Sequence, residues 1–238
     1  MHNRLVLGPI ALVGSGEFTP AMEAVDAALL DGQPQRVVHL PTAAALEGPK
    51  RLTYWVELGR VHYARLGVEA EALQVMNRND AENPAFADRL AGAGLIYLSG
   101  GNPAFLARTL AGTLVGDALR DAWRKGSAVA GCSAGAMALM ESVPDIRNMH
   151  AEPVAGLAVV AGMRVMPHFD QIERWAPGAI AAAVAVAPAG AHLVGIDEDT
   201  AIVGGPGAWR VMGRAAAWVL HQGSDPDRYG AGGAINLK

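Results

Sequence analysis

Short apolar runs alternate along this chain with longer stretches whose apolar residues recur three or four positions apart. Ile10 to Val13, Arg36 to Leu40, Val68 to Val75, Leu95 to Leu98 and Ala128 to Ala130 read as strands. Between them, Pro20 to Leu30 reads as a helix, with Thr19 as its cap and Pro20 in the first helical position. Arg51 to Leu66, Pro84 to Ala91 (capped by Asn83), Asp117 to Arg124 and Ala134 to Met140 read as further helices. Later strands are expected at His192 to Ile196, Thr200 to Val203, Ala208 to Met212 and Ala216 to His221. The alternation predicts an α/β fold with a mostly parallel sheet flanked by helices. No repeat, low-complexity tract or linker interrupts it, so one domain is expected over residues 1–238.

Composition narrows the function classes. With 51% hydrophobic and 18% charged residues in 238, the chain has enough apolar material for a sizeable core and is not a disordered segment. A net charge of −4 and scattered Lys and Arg give no electrostatic reason to expect nucleic acid. The apolar run Leu5 to Val13 is short and broken by Gly8 and Pro9, which fits a first buried strand better than a signal peptide. Ala179 to Ala191 is too short to span a bilayer. The one cysteine, Cys132, cannot form an internal disulfide, so a cytoplasmic protein is expected, with no membrane partner. A homo-oligomer is left open.

Three expected strand ends carry Gly-rich loops: Gly14 to Glu17, Gly100 to Asn102 and Gly131 to Gly135. The carboxyl ends of parallel strands share one edge of a sheet, where ligands bind, so the three loops are expected to line one crevice. Gly131-Cys132-Ser133-Ala134-Gly135 has the G-x-S-x-G pattern with a strand before it and a helix after it. A sharp turn holds such a serine in a strained conformation, which demands small neighbours two residues away on each side. The Ala134 N–H at the helix start is a natural donor to an oxyanion. The competing reading is a glycine-rich turn that only packs a helix on a sheet. Cys132, one position before the centre of the turn, is expected to be a buried structural thiol.

A serine nucleophile needs a base, and the base needs a partner that orients it. Of seven histidines, His150 and His168 fall in irregular segments after the turn, where loops can reach the crevice, and spacing hardly separates them. Among acids, Asp197, Glu198 and Asp199 follow an expected strand, with Asp170 as a further candidate. If the chain stays extended there, Asp197 and Asp199 point away from Glu198.

Taken together, several segments resemble the serine peptidase family that contains dipeptidase E and cyanophycinase. They are Leu12 to Glu17, Ser99-Gly100-Gly101-Asn102, Gly131 to Ala136, Pro167-His168-Phe169, Gly195 to Glu198 and Gly204-Gly205-Pro206. The resemblance implies a class I glutamine amidotransferase-like fold and a Ser-His-Glu triad, with Ser133 as nucleophile, His168 as base and Glu198 as its orienting acid. It also implies an oxyanion hole made by the backbone N–H groups of Gly101 and Ala134. Cyanophycinases carry an Asp-Gln pair before the catalytic histidine and arginines after it. Here Met166-Pro167 precede His168, Ile172 stands at the first arginine position, and Arg174 matches the second. The Pro-His-Phe arrangement is similar to dipeptidase E, which implies hydrolysis of short peptides.

Candidate substrate contacts are Glu17 for a free α-amino group, Asn102, and the cations Arg147, His150 and Arg174 for a carboxylate. For each, an ordinary solvated side chain is the competing reading. Neither an organic cofactor nor a metal is expected, since there is no helical H-x-x-x-H pair and only one cysteine. Two rival functions stand beside the peptidase: an α/β-hydrolase esterase, whose chain order would be Ser, acid, His, and a non-catalytic small-molecule binding module.

Overall fold

The computed structural model describes residues 7–145 and 152–237. Its strands, in chain order, are β1 (Ile10–Val13), β2 (Arg36–Leu40), β3 (Glu69–Ala72), β4 (Leu95–Leu98), β5 (Ala128–Cys132), β6 (Ser142–Val143) and β7 (Val154–Ala155). They continue with β8 (Met163–Pro167), β9 (His192–Ile196), β10 (Thr200–Gly205), β11 (Ala208–Gly213), β12 (Ala216–Leu220), β13 (Asp227–Gly230) and β14 (Ala234–Asn236). The α-helices are α1 (Glu23–Leu30), α2 (Pro49–Arg65), α3 (Arg78–Ala81), α4 (Pro84–Asp88), α5 (Pro103–Leu110), α6 (Leu114–Arg124), α7 (Ala134–Ala138), α8 (Phe169–Trp175) and α9 (Ala179–Ala185).

Eight strands form the main sheet in the order β14-β11-β10-β1-β5-β4-β2-β3. From β1 to β3 all pairings are parallel, while β10, β11 and β14 extend the sheet antiparallel. The inner parallel strands β1, β5 and β4 are apolar on both faces because helices cover both. Ile10, Leu12, Ile96, Leu98 and Val129 belong to one core cluster, with α5, α6 and α7 residues. Ala11, Val13, Tyr97, Ala130 and Cys132 turn the other way, toward α1 and α2. This alternation at period two is what the pleat dictates.

A smaller sheet, ordered β13-β12-β9-β8, stands beside the first. Here β8 runs parallel to β9, with Pro167 opposite Ile196. The carboxyl ends of these two strands therefore lie side by side. A backbone bond joins them to the main sheet at the end of β1, where His168 N–H donates to Gly14 O at 3.3 Å. The approach is so close that a Cβ on Gly14 would meet the Asp197 carbonyl oxygen at 2.1 Å.

Expected and observed elements differ in places. The segment before His168 is a strand, β8, although its sequence Met-Arg-Val-Met-Pro has no long apolar run. Pairing with β9 makes it one. The run Val68 to Val75 forms a strand only over Glu69–Ala72, because β3 is an edge strand whose single partner is the short β2. Pro20–Met22 is a 3₁₀ turn that leads into α1 rather than its first α-helical turn. Among the described residues no helix is long and apolar enough to cross a membrane.

Candidate active site

Parallel β1, β5 and β4 are neighbours, so their carboxyl ends put the loops after Val13, Cys132 and Leu98 on one edge. At the central loop Ser133 has φ 50° and ψ −109°, a conformation that side chains rarely adopt. It is held there from both sides. Ser133 N–H donates to Val13 O at 2.9 Å, and Ser133 O accepts from Met137 N–H at 3.1 Å. The small neighbours are sterically required: a Cβ on Gly131 would lie 2.4 Å from the Gly135 carbonyl carbon, and one on Gly135 2.1 Å from Leu98 O.

His168 follows β8 and sits in the left-handed region, φ 53° and ψ 36°, as the residue that opens α8. Its Nε2 is 3.0 Å from Ser133 Oγ, and its Nδ1 is 2.8 Å from Glu198 Oε1. With the Nδ1 proton directed at the carboxylate, Nε2 is left to accept from the serine hydroxyl. The imidazole and the carboxylate are partly exposed, at 27% and 38%, so the chain of bonds opens to solvent at the mouth of the site. Parallel pairing explains the meeting. His168 is one residue beyond Pro167, and Glu198 two beyond its partner Ile196.

The acids around Glu198 are used differently. Asp197 turns inward and accepts from Ala216 N–H at 3.1 Å and Trp218 Nε1–H at 2.9 Å. Burial pushes its carboxyl up, and these two bonds oppose the shift. Asp199 pairs with Arg214 at 3.2 Å. Asp170, in the first turn of α8, accepts from the Glu198 backbone N–H at 2.8 Å.

Gly101 has φ 141°, and a Cβ there would meet Ala43 O at 2.3 Å. Among the described residues, the N–H groups of Gly101 and Ala134 donate to no protein acceptor. Asn102 caps α5, its Oδ1 accepting from Phe105 N–H at 3.0 Å. Glu17 is not a solvated side chain. It is 7% exposed, and its two oxygens accept from Gly100 N–H at 2.9 Å and from the Cys132 thiol at 2.8 Å. Cys132 is fully buried, and burial together with Glu17 pushes its thiol well above the ordinary range. It is a neutral donor, not a nucleophile.

The other described histidines stand away from Ser133. His39 is buried against Ser99 Oγ at 3.0 Å, and His62 against Asp26 at 2.6 Å. His221 pairs with Asp227 at 2.9 Å on the surface, and His192 opens β9. Arg174 is an exposed residue of α8. Arg147 and His150 lie outside the described residues. One neighbour of His168 went unmarked in the sequence. Trp175, at the end of α8, is 60% exposed, and its ring centroid is 5.3 Å from that of the imidazole at a tilt of 56°. A helix periodicity over Phe169–Trp175 would have put Trp175 within reach of His168. Among the described residues no three His, Cys, Asp or Glu side chains gather to hold a metal.

The family model described as Peptidase family S51 matches residues 5–207. The chain belongs to peptidase family S51. As a member of that family it is a serine-type peptidase. Among solved structures, the S51 chain is similar to a peptidase from an acI-B1 Actinobacterium, with 37% identity, 98% of each chain covered and a TM-score of 0.90. It also shares its fold with a putative peptidase E protein from Listeria monocytogenes EGD-e, at 18% identity and a TM-score of 0.61, covering 94% of this chain and 98% of that one. No curated protein matches the chain.

Proposed function

We propose that this S51 peptidase hydrolyses short peptides through an acyl-enzyme on Ser133, in the manner of dipeptidase E. The observation that carries the reading is the unbroken chain of hydrogen bonds from Glu198 through His168 to Ser133, set on a strained strand-to-helix turn. Ser133 Oγ attacks the scissile carbonyl while His168 Nε2 takes its proton, and Glu198 stabilises the imidazolium. The oxyanion that forms accepts from the Gly101 and Ala134 N–H groups. His168 then gives its proton to the leaving amine, and a water activated by the same base hydrolyses the ester. The Listeria neighbour is itself named a putative peptidase E.

The proton transfer also fixes a direction. Because the leaving amine takes its proton from Nε2, the leaving residue lies on the His168 side of the site. Trp175, in ring contact with His168 and largely exposed, presents an apolar face there. Peptides whose leaving residue is apolar are the favoured substrates. Arg174, next to it in α8, and Asn102, at the start of α5, are the proposed polar contacts to the substrate. The chain order Ser133, His168, Glu198 argues against an α/β-hydrolase esterase. The lone, fully buried cysteine is consistent with a cytoplasmic setting.

A panel of dipeptides and tripeptides tests the reading, with wild type and Ser133→Ala side by side and a fluorophosphonate probe as a second readout. Wild type is expected to cleave and to be labelled at Ser133, and the variant to do neither. Equal cleavage by the two proteins would overturn the assignment of Ser133.

A further inference from the structure

A buried carboxylate that faces no cation is costly, because it gives up hydration and must be repaid by hydrogen bonds. Glu17 is such a group. It is 7% exposed, and among the described residues it forms no ion pair. Its donors come from two different loops. Oε1 takes the N–H of Gly100, immediately before Gly101, and Oε2 takes the thiol of Cys132, immediately before Ser133.

We infer that Glu17 is a positioning residue that ties the two halves of the oxyanion site together. One carboxylate holds the residue before each half: Gly100 precedes the Gly101 donor, and Cys132 precedes the turn that aims Ser133 Oγ and the Ala134 N–H. The fit is tight. A Cβ on Gly100 would stand 2.9 Å from Glu17 Oε1 and 3.6 Å from Ser133 Cβ, so the Gly100 backbone packs directly against the carboxylate and the turn. The brace is anchored from below by the turn in which Glu17 sits, where Thr19 N–H and Oγ1–H both donate to Gly16 O, at 3.1 and 2.7 Å. Cys132 contributes as a neutral thiol donor, which gives the cysteine inside the nucleophile turn a use that does not involve nucleophilicity. The carboxylate touches no reacting atom. It acts by keeping two donors at the spacing that a tetrahedral oxyanion needs, where small displacements cost rate.

The inference rests on the proposed role of Ser133, and the test separates the two. Glu17→Ala is expected to lower kcat on the order of a hundredfold with KM nearly unchanged, the scale set by losing one oxyanion donor. Glu17→Gln keeps an acceptor for Gly100 and should retain most of the lost rate. Affinity for a peptide aldehyde, which mimics the tetrahedral state, should fall in parallel with kcat. Should Glu17→Ala fail to fold, Glu17→Gln carries the test, with a smaller fall in kcat at constant KM and weaker aldehyde binding. Hydrogen exchange at the Gly100 amide reads the brace without chemistry, and should quicken in Glu17→Ala. A raised KM at constant kcat, lost when the peptide is N-acetylated, would instead make Glu17 a ligand for the substrate amine and overturn the brace. Full activity in Ser133→Ala would overturn the nucleophile while leaving the exchange result to judge Glu17.

Discussion

Asp170 accepts the backbone N–H of Glu198 at 2.8 Å, so the helix that starts at His168 also fixes the loop that carries its carboxylate partner. Two short segments from different strands are thereby locked to each other, and the His168–Glu198 bond inherits their rigidity. Asp170→Ala should lower kcat roughly tenfold, the scale on which supporting hydrogen bonds act on a working group. Asp170→Asn, which keeps an acceptor, should stay close to wild type. Steady-state kinetics on one peptide distinguishes the pair, and equal losses would show that the charge matters and the bond does not.

Trp175 bears on substrate choice. Trp175→Ala should raise KM about tenfold for peptides with Leu or Phe as leaving residue, and much less for those with Gly. A methyl ester of the same acyl group, whose leaving group cannot reach the indole, serves as control. Uniform losses that include the ester would mean that Trp175 only supports the His168 ring.

Gly135 is where α7 crosses β4, and an added Cβ would meet Leu98 O at 2.1 Å and Leu98 Cβ at 2.9 Å. Neither contact can give way without moving the turn that carries Ser133. Gly135→Ala should destabilise the fold by about 1–3 kcal/mol, as overpacking does, and abolish labelling of Ser133. Urea denaturation and a fluorophosphonate probe measure the two effects separately. A stable, fully labelled variant would contradict the tight crossing.

His39 ties stability to pH. Burial lowers its pKa from 6.5 to about 3, so the folded protein keeps the imidazole neutral where the unfolded chain would protonate it. Its contribution is complete above about pH 6.5 and is lost progressively as pH falls toward 3. The slope for one such group is about 1.4 kcal/mol per pH unit. The urea midpoint should therefore drop between pH values of about 7 and about 5, and drop less in His39→Gln. An identical pH dependence in the two proteins would assign the acid lability to other groups.

Much of the scaffold was legible in the sequence. Ile10–Val13, Arg36–Leu40, Leu95–Leu98 and His192–Ile196 are strands within the bounds their apolar runs suggest. Burial on both faces requires such runs, and a run is a local property. The turn around Ser133 was readable for a similar reason, since its close contacts exclude every side chain larger than hydrogen at Gly131 and Gly135. The strand β8 was not, because Met163–Pro167 owes its conformation to pairing with β9, twenty-nine residues later at the Met163–His192 step.

The residues around Ser133 divide along the same line. By itself the sequence determined an α/β scaffold, the place of the Gly131–Gly135 turn and a short set of histidines and acids that could stand near it. Only the tertiary structure brings one histidine of that set into hydrogen-bond reach of Ser133, and one acid into reach of that histidine. Parallel pairing of β8 with β9 puts His168 beside Glu198, while Asp197 turns inward to Trp218 and Asp199 outward to Arg214. It also shows Glu17, expected either to meet a free α-amino group or to be a solvated acid, as a buried link between two loops. The physical reason is range. Steric demands within a turn act between near neighbours and are written into residue type, whereas hydrogen bonds between strand ends depend on which distant strands pair and in what register.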